Sequence, residues 1–320
     1  MFLQMSHMKQ MTKENSSSES EFILAGLTDQ PVLQLPLFAL FLLNYIATVV
    51  GNWSLMCLIC LNSHLHTPMY FFIFNLSFID FCYSFVFTPK MLMGFVSETN
   101  TISFTGCMTQ MFFFCLFVNS ECYVLTAMAY DRYVAICQPL LYTLIMSPKA
   151  CCLLMLAVHL MGLSSAIVHT GCIITLRFCD AKVINHYMCD TFPLLELSCG
   201  SSHINELVSS VSVAVVVVLS SLIIVSSYIL ILVNVIHLSS SKSWSKAMST
   251  CSSHITTVAL FYGFGLLAHI KPSSEESVVQ RKFFSVVYTF LLPLLNPLIY
   301  SLRNKDVKLA LKRTLKKITV

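Results

Sequence analysis

Seven stretches of this sequence stay apolar for the length of a membrane crossing. They fall at roughly 31–60, 67–94, 104–138, 149–171, 204–239, 245–270 and 281–303. About 20 apolar residues carry a helix across the hydrocarbon core of a bilayer, and each stretch is long enough. Composition agrees. With 56% hydrophobic and 11% charged residues and a mean hydropathy of +0.77, the chain holds more apolar surface than a soluble domain can hide. The expected fold is an all-α membrane protein, a seven-transmembrane helix bundle. It divides into an extracellular N-terminal segment (1–30), the bundle (31–303) and a cytoplasmic amphipathic helix and tail (304–320). Neither solenoid-type nor inverted repeats are visible.

Basic residues near the span ends set the expected orientation. After the seventh stretch come Arg303, Lys305, Lys308, Lys312, Arg313, Lys316 and Lys317, against Asp306 alone. Lys242 precedes the sixth, and Lys246 stands at its start. The N-terminal segment has Lys9 and Lys13 against Glu14, Glu19, Glu21 and Asp29. The balance places the C-terminus in the cytoplasm and, with seven spans, the N-terminus outside. Lys271, Arg281 and Lys282 run the other way without reversing it. The first 30 residues are polar and lack an apolar signal core, so the first span is expected to insert the chain without cleavage. Asn15 opens an N-glycosylation tripeptide on the side expected to be outside. In the tail, Val307, Leu309, Leu311 and Leu315 stand among lysines and arginines. Leu311 and Leu315 share a helical face, which suits a short helix lying on an anionic bilayer surface.

Most of the 14 cysteines lie within the apolar stretches, as small buried residues do. Cys107, Cys179, Cys189 and Cys199 instead lie at the outer end of the third stretch and in the long polar loop 172–203. That side is oxidising and permits disulfides, and four cysteines allow three connectivities. His186, Met188 and Cys189 are soft-metal ligand types, but a disulfide at Cys189 removes the thiolate a metal would need.

Within "FVNSECYVLTAMAYDRYVAIC", residues 117–137, stand Glu121, Asp131 and Arg132. A charge at mid-bilayer costs about 2.5–3.5 kcal/mol on insertion scales, so such residues are functional candidates. Asp80 in the second stretch is another. Asp80 and Glu121 can share a proton, hold a cation between them, or leave one neutral acid bonded to a carbonyl. Asp131 and Arg132, being consecutive, point about 100° apart on a helix, so they are not expected to be simply each other's partners. Arg132 is expected to face the interior as a latch, with Asp131 restraining it from the side. A channel or transporter would need polar stripes on several spans, and only two acids lie deep. An intramembrane enzyme would need a nucleophile with a base, or a metal motif, and neither converges at a defensible spacing.

"GN" at 51–52, "LHTPMYFF" at 65–72, "MAYDRYVAIC" at 128–137, "KAMSTCSSH" at 246–254 and "PLLNPLIYSLRNK" at 293–305 together resemble the signatures of vertebrate olfactory receptors, which are rhodopsin-like G-protein-coupled receptors. The resemblance covers nearly the whole chain. It implies an odorant receptor of the plasma membrane, not an enzyme, whose partners are a small volatile odorant, the lipid bilayer and a stimulatory olfactory-type G protein that raises cAMP. No nucleic acid is expected. It assigns Asn52, Asp80, Asn296 and Pro297 to a polar core, and Asp131, Arg132 and Tyr133 to the switch, with Tyr228 and Tyr300 joining Arg132 on activation. Asp80 and Glu121 become an allosteric sodium site, and no other cofactor is expected. The disulfides become Cys107–Cys189 and Cys179–Cys199. Ser243, Trp244, Ser245 and Met248 depart from the family pattern where the G protein docks.

Phe114, Cys115, Val118, Asn119 and Cys122 share one helical face, outward of the switch, where the family binds its ligands. The resemblance adds Ser212, Val216, Tyr262, Leu266, His269 and Thr289 as the remaining walls. So apolar a wall suits an uncharged odorant with one oxygen-bearing group, oriented by Asn119 and His269.

Overall fold

The computed structural model describes residues 21–318 apart from 29, 98, 179–181, 201–202, 238–240 and 269–274. Seven helices among the described residues are long and apolar enough to cross a membrane. They are α1 (Pro31–Leu61), α2 (Pro68–Val96), α3 (Phe104–Cys137), α4 (Pro148–Ile174), α5 (His203–His237), α6 (Ser241–Ala268) and α7. The last runs through Glu275–Val286, a π turn at Val287–Leu291, and Leu292–Arg303. A tail helix, α8, follows at Lys305–Ile318. The spans of the sequence analysis are recovered, with α6 and α7 each starting a turn or more earlier, in polar sequence.

Local chemistry explains the helix starts. Pro31, Pro68 and Pro148 occupy first turns, where the missing N–H costs nothing and the fixed φ is already helical. Ser103 and Ser147 cap α3 and α4, accepting from the N–H groups of Gly106 (3.1 Å) and Ala150 (3.4 Å). Many large apolar side chains point outward, among them Leu35, Leu43, Leu222 and Val218, which is the arrangement lipid permits. Inside, α3 is central. It packs against α2, α4, α5 and α6 and holds eighteen buried residues. Its approach to α4 depends on Gly162, where a Cβ would collide with Ser120 Oγ and sit 3.0 Å from the Leu116 carbonyl oxygen.

The interior forms two large apolar clusters. One, at the end carrying the chain's only described sheet, gathers Phe41, Tyr83, Phe87, Met111, Tyr187 and Phe290; the ring of Phe290 meets Phe41 at 4.8 Å and Phe87 at 5.1 Å. The other, toward α8, gathers Leu65, Phe72, Ile73, Leu76, Leu125 and Tyr300. The sheet was not legible in the sequence. β1 (Glu21–Leu24) pairs antiparallel with β2 (Thr101–Ser103) and parallel with β3 (Val183–Ile184). It draws the segment before α1 over the loop before α3 and the loop after α4. Gly26, at φ 76°, supplies the left-handed residue that turns the chain from β1 toward α1.

In α8, Val307 and Ala310 are buried against the bundle, and the Thr314 hydroxyl accepts from Asn62 Nδ2 at 3.3 Å. Leu309 and Leu311 remain exposed. The helix thus divides its apolar residues, one set facing the bundle and the other turned away.

Candidate functional site

The site is built in three tiers along α3. The middle tier is polar. Asp80 from α2, Glu121 from α3 and Asn296 from α7 meet with at most 3% of each exposed. Asn296 Nδ2 donates to Asp80 Oδ2 at 2.9 Å and to Glu121 Oε1 at 3.1 Å, so one amide serves two carboxylates. Asn52 Nδ2 donates to the carbonyls of Pro293 (2.9 Å) and Thr48 (3.0 Å), tying α1 to the interior of α7 just before Asn296 and Pro297. Asp80 Oδ1 and Asn296 Oδ1 are buried without a hydrogen-bond partner. A cluster with two acids, unpartnered oxygens and no basic side chain bonded to it is chemically a receptor for a proton or a small cation.

Toward α8, Arg132 is ion-paired with Asp131, its Nε donating at 3.1 Å. The two point about 100° apart on the helix, yet Asp131 restrains Arg132 from the side. The arginine side chain is long enough to fold back across that angle, and burial of both residues leaves it no better acceptor. Asp131 is held from its other side by the hydroxyl of Tyr142, in the short helix Tyr142–Ile145, which donates to Oδ1 at 2.8 Å. Tyr133, beside the pair, accepts from Gln138 Nε2 at 3.4 Å.

Neither Tyr228 nor Tyr300 is bonded to Arg132 here. Tyr300 is buried with its hydroxyl unpartnered. Tyr228 bonds instead to His254 Nδ1, while His254 Nε2 reaches the Leu125 carbonyl at 3.0 Å. A carbonyl only accepts, so Nε2 carries the proton, Nδ1 is bare, and the tyrosine donates. Neither role was legible in the sequence: His254 closes the "KAMSTCSSH" motif without a spacing that points to Tyr228, and Tyr142 lies in no motif.

Toward the sheet lies a cavity of about 100 Å³. Phe114, Cys115, Val118, Asn119 and Cys122 line it from α3, Val216 from α5, and Tyr262 and Leu266 from α6. At its inner end Cys122 Sγ contacts Ser220 Oγ (3.2 Å) and Tyr262 Oη (3.0 Å), one residue from Glu121.

Two expected wall residues lie elsewhere. Ser212 is replaced by Ser209, Val213 and Val217. At 100° per residue, Ser212 sits roughly 80° from the centre of the stripe those residues form with Val216. Thr289 is turned away: the π turn adds a residue to that helical turn, bringing Tyr288 to the cavity. Thr289 shares a 2.9 Å hydrogen bond with the Tyr187 hydroxyl. His269 lies outside the described residues, as do Asn15 and Cys179, and with Cys179 the Cys179–Cys199 pairing.

His169, Asp190, Thr191, Phe192, Phe261 and Gly265 also lie on the cavity wall, beyond the residues expected from the sequence. The loop residues carried a usable signal. Cys189 is disulfide-bonded to Cys107 at the head of α3 (Cα–Cα 5.5 Å), and its N–H donates to Gln110 Oε1 at 2.8 Å. Whatever follows Cys189 must therefore lie over the α3 face. Asp190 Oδ1 accepts from Thr191 N–H at 2.7 Å and starts the short helix Thr191–Glu196. Tyr187 also bonds Ser285 (2.9 Å), fastening the loop to α7. Beside it His186 is fully covered. Burial, then the nearby Arg281 and Lys282, push its imidazole down to about 4 against the opposing pull of Asp190.

The arrangement, a cavity above a polar cluster above a held arginine, agrees with the comparisons. The family model described as "Olfactory receptor" matches residues 41–317. Mouse olfactory receptor 8C8 is 70% identical over 312 residues, covering 98% of this chain and all of that one. Human olfactory receptor 8B4 is 59% identical over 308 residues, covering 96% and 99%. The crystal structure of squid rhodopsin superposes with a TM-score of 0.70 at 20% identity, covering 89% of this chain and 81% of that one; at that identity the likeness is one of fold.

Proposed function

This chain belongs to the olfactory receptor family, a multi-pass membrane receptor and not an enzyme, and we propose that a small volatile odorant in the α3–α5–α6 cavity drives signalling through Arg132. The observation that carries this is the continuity of α3. Cys122 forms the cavity's inner end, Glu121 the polar cluster and Arg132 the latch. Ten residues, or about 15 Å of helix, separate Cys122 from Arg132. A ligand that wedges between Cys122, Val216 and Tyr262 changes how α5 and α6 pack on α3. Those helices also carry Tyr228 and His254, next to the Arg132 tier. Opening at the α8 end frees Arg132 from Asp131 and exposes it to a stimulatory, olfactory-type G protein, and cAMP rises. The ligand acts by preferring the open packing.

In this reading the α8 end faces the cytoplasm, where the basic tail meets an anionic bilayer surface, and the sheet faces outside. The Asp80–Glu121–Asn296 cluster fits a sodium ion, because two buried carboxylates and an unpartnered Asp80 Oδ1 want positive charge. Bound there, one sodium ion would offset one of the two negative charges and favour closed packing. Asp80 and Glu121 hold the charge, and Asn296 orients both.

The test is odorant-evoked cAMP in cells expressing Arg132→Ala. The variant should reach the surface and lose the response. A full response would remove the latch role.

A further inference from the structure

We infer, on the premise that the cavity is the odorant site, that it selects ligands that donate a hydrogen bond: alcohols and amines over matched aldehydes, ketones, ethers, esters and carboxylic acids. The polar lining points this way. Asp190 is the one formally charged side chain among the described lining residues, and a carboxylate only accepts. One of its oxygens takes the Thr191 N–H of its own loop, and the carboxylate has further lone pairs that can accept from a ligand. No lysine or arginine lines the described wall, so a ligand carboxylate would meet a like charge without a counter-charge.

Two further groups agree. Ser209 is 1% exposed, and its hydroxyl is buried without a partner on the cavity wall. A hydroxyl can accept from a ligand or give to one, so it suits a ligand that does both. Asn119 spends an N–H on the Cys115 carbonyl at 2.7 Å, which fixes its nitrogen toward the helix and leaves its oxygen to accept. The rest of the wall is mainly apolar, with His169, Thr191, Tyr262 and Tyr288 as its other polar members, and about 100 Å³ has room for roughly eight water-sized atoms on the ~10–15 Å³ that one buried water needs. A short hydrocarbon ending in a hydroxyl or ammonium fills it. A carbonyl or ether of equal size turns lone pairs toward Asp190 and strands the carboxylate.

The experiment uses the full-length receptor in lipid nanodiscs and reads ligand-induced thermal stabilisation, which requires no G protein. Ligands come in sets sharing one skeleton (linear, branched or ring) and ending in hydroxyl, amine, methyl ether, aldehyde or carboxylic acid. In wild type, the alcohol and amine should bind roughly ten- to hundredfold more tightly than the ether and aldehyde of the same set, with the acid weakest. Asp190→Asn keeps an acceptor for Thr191 N–H, so the loop retains its cap, and gains an N–H that can serve a carbonyl. There the amine should lose most and the aldehyde gain. Ethers, aldehydes or acids equalling the donors in wild type overturn the inference, as does an unchanged order in Asp190→Asn. If that variant does not fold, the wild-type order alone decides. Val216→Trp, which fills the cavity, should abolish all binding. Odorants that still bind it would refute the cavity reading itself, a result separate from any ranking.

Discussion

The two halves of the bundle are held by different physics. The sheet half is fastened by a disulfide, a three-stranded sheet, a loop bonded to α3 and α7, and a cluster of aromatic rings. The α8 half has its own apolar cluster, but adds to it contacts built around charge: Asp131 with Arg132, Asp131 with Tyr142, and just above them two carboxylates sharing Asn296. Covalent and apolar contacts hold one shape under most conditions. A buried ion pair is costly to leave unpaired, so it moves by trading one partner for another rather than by deforming gradually. A receptor needs both: a pocket that keeps its form, and a switch that does not.

The largest expected effect tests the fastening of the sheet half. Cys107→Ser releases the loop that carries Asp190, Thr191 and Phe192 over the cavity. Loss of a native disulfide costs about 2–5 kcal/mol, enough to abolish surface expression of a marginally stable chain. Flow cytometry of surface receptor checks it, and a normal level with a normal odorant response would mean that the sheet and Tyr187 suffice.

Smaller, and confined to the same half, is the effect of acid on the loop. The folded value of His186, about 4, lies below its ordinary 6.5, so at pH between these values the unfolded chain binds a proton that the fold refuses. Stability is therefore full above about pH 6.5 and falls as pH drops toward 4, by roughly 3 kcal/mol in all. The charged neighbours are Asp190, Arg281 and Lys282. Thermal unfolding of His186→Gln should be flatter over this window than that of wild type. Parallel curves would place the acid sensitivity elsewhere.

For the α8 half, sodium is the probe. Asp80→Asn and Glu121→Gln should each weaken the ion's suppression of basal cAMP, and the double change should fall short of their sum, since groups in one cluster couple. Strictly additive changes would mean that each acid works alone, and the contrast between the halves would lose its chemical basis.

The seven spans were legible because lipid imposes length and apolarity on each one independently of its neighbours. The polar core was legible for a related reason: Asp80 and Glu121 stand out where charge is costly. What the sequence concealed depends on contacts between distant segments. β1, only four residues long, has no meaning until the loops before α3 and after α4 lie beside it. Asp190 looks like an ordinary loop acid until the disulfide places it over α3. Thr289 was misplaced because a π turn leaves no mark in hydrophobic periodicity. Asp131 and Arg132 were legible as a restrained latch, but helix geometry gave no sign that side-chain reach would close the pair directly.

The smallest expected effect lies inside the cavity, at Asn119. It is half-buried on α3, one turn beyond Cys115, whose carbonyl it bonds at 2.7 Å, and on the lining face with Val118 and Cys122. In Asn119→Ala the helix keeps its backbone bonds, and the side-chain bond it loses is local, so folding and surface level should hold. What disappears is one polar contact to the ligand in a mostly apolar wall. A single unmade buried hydrogen bond costs about 1–3 kcal/mol, so odorant potency should shift by roughly five- to 150-fold with the maximal response unchanged. This is the pocket half's signature: affinity moves and the switch does not. Were Asn119→Ala to raise basal cAMP instead, the cavity and the charged tiers below it would be one cooperative unit, and the division between a rigid pocket and a movable switch would have to be redrawn at Cys122.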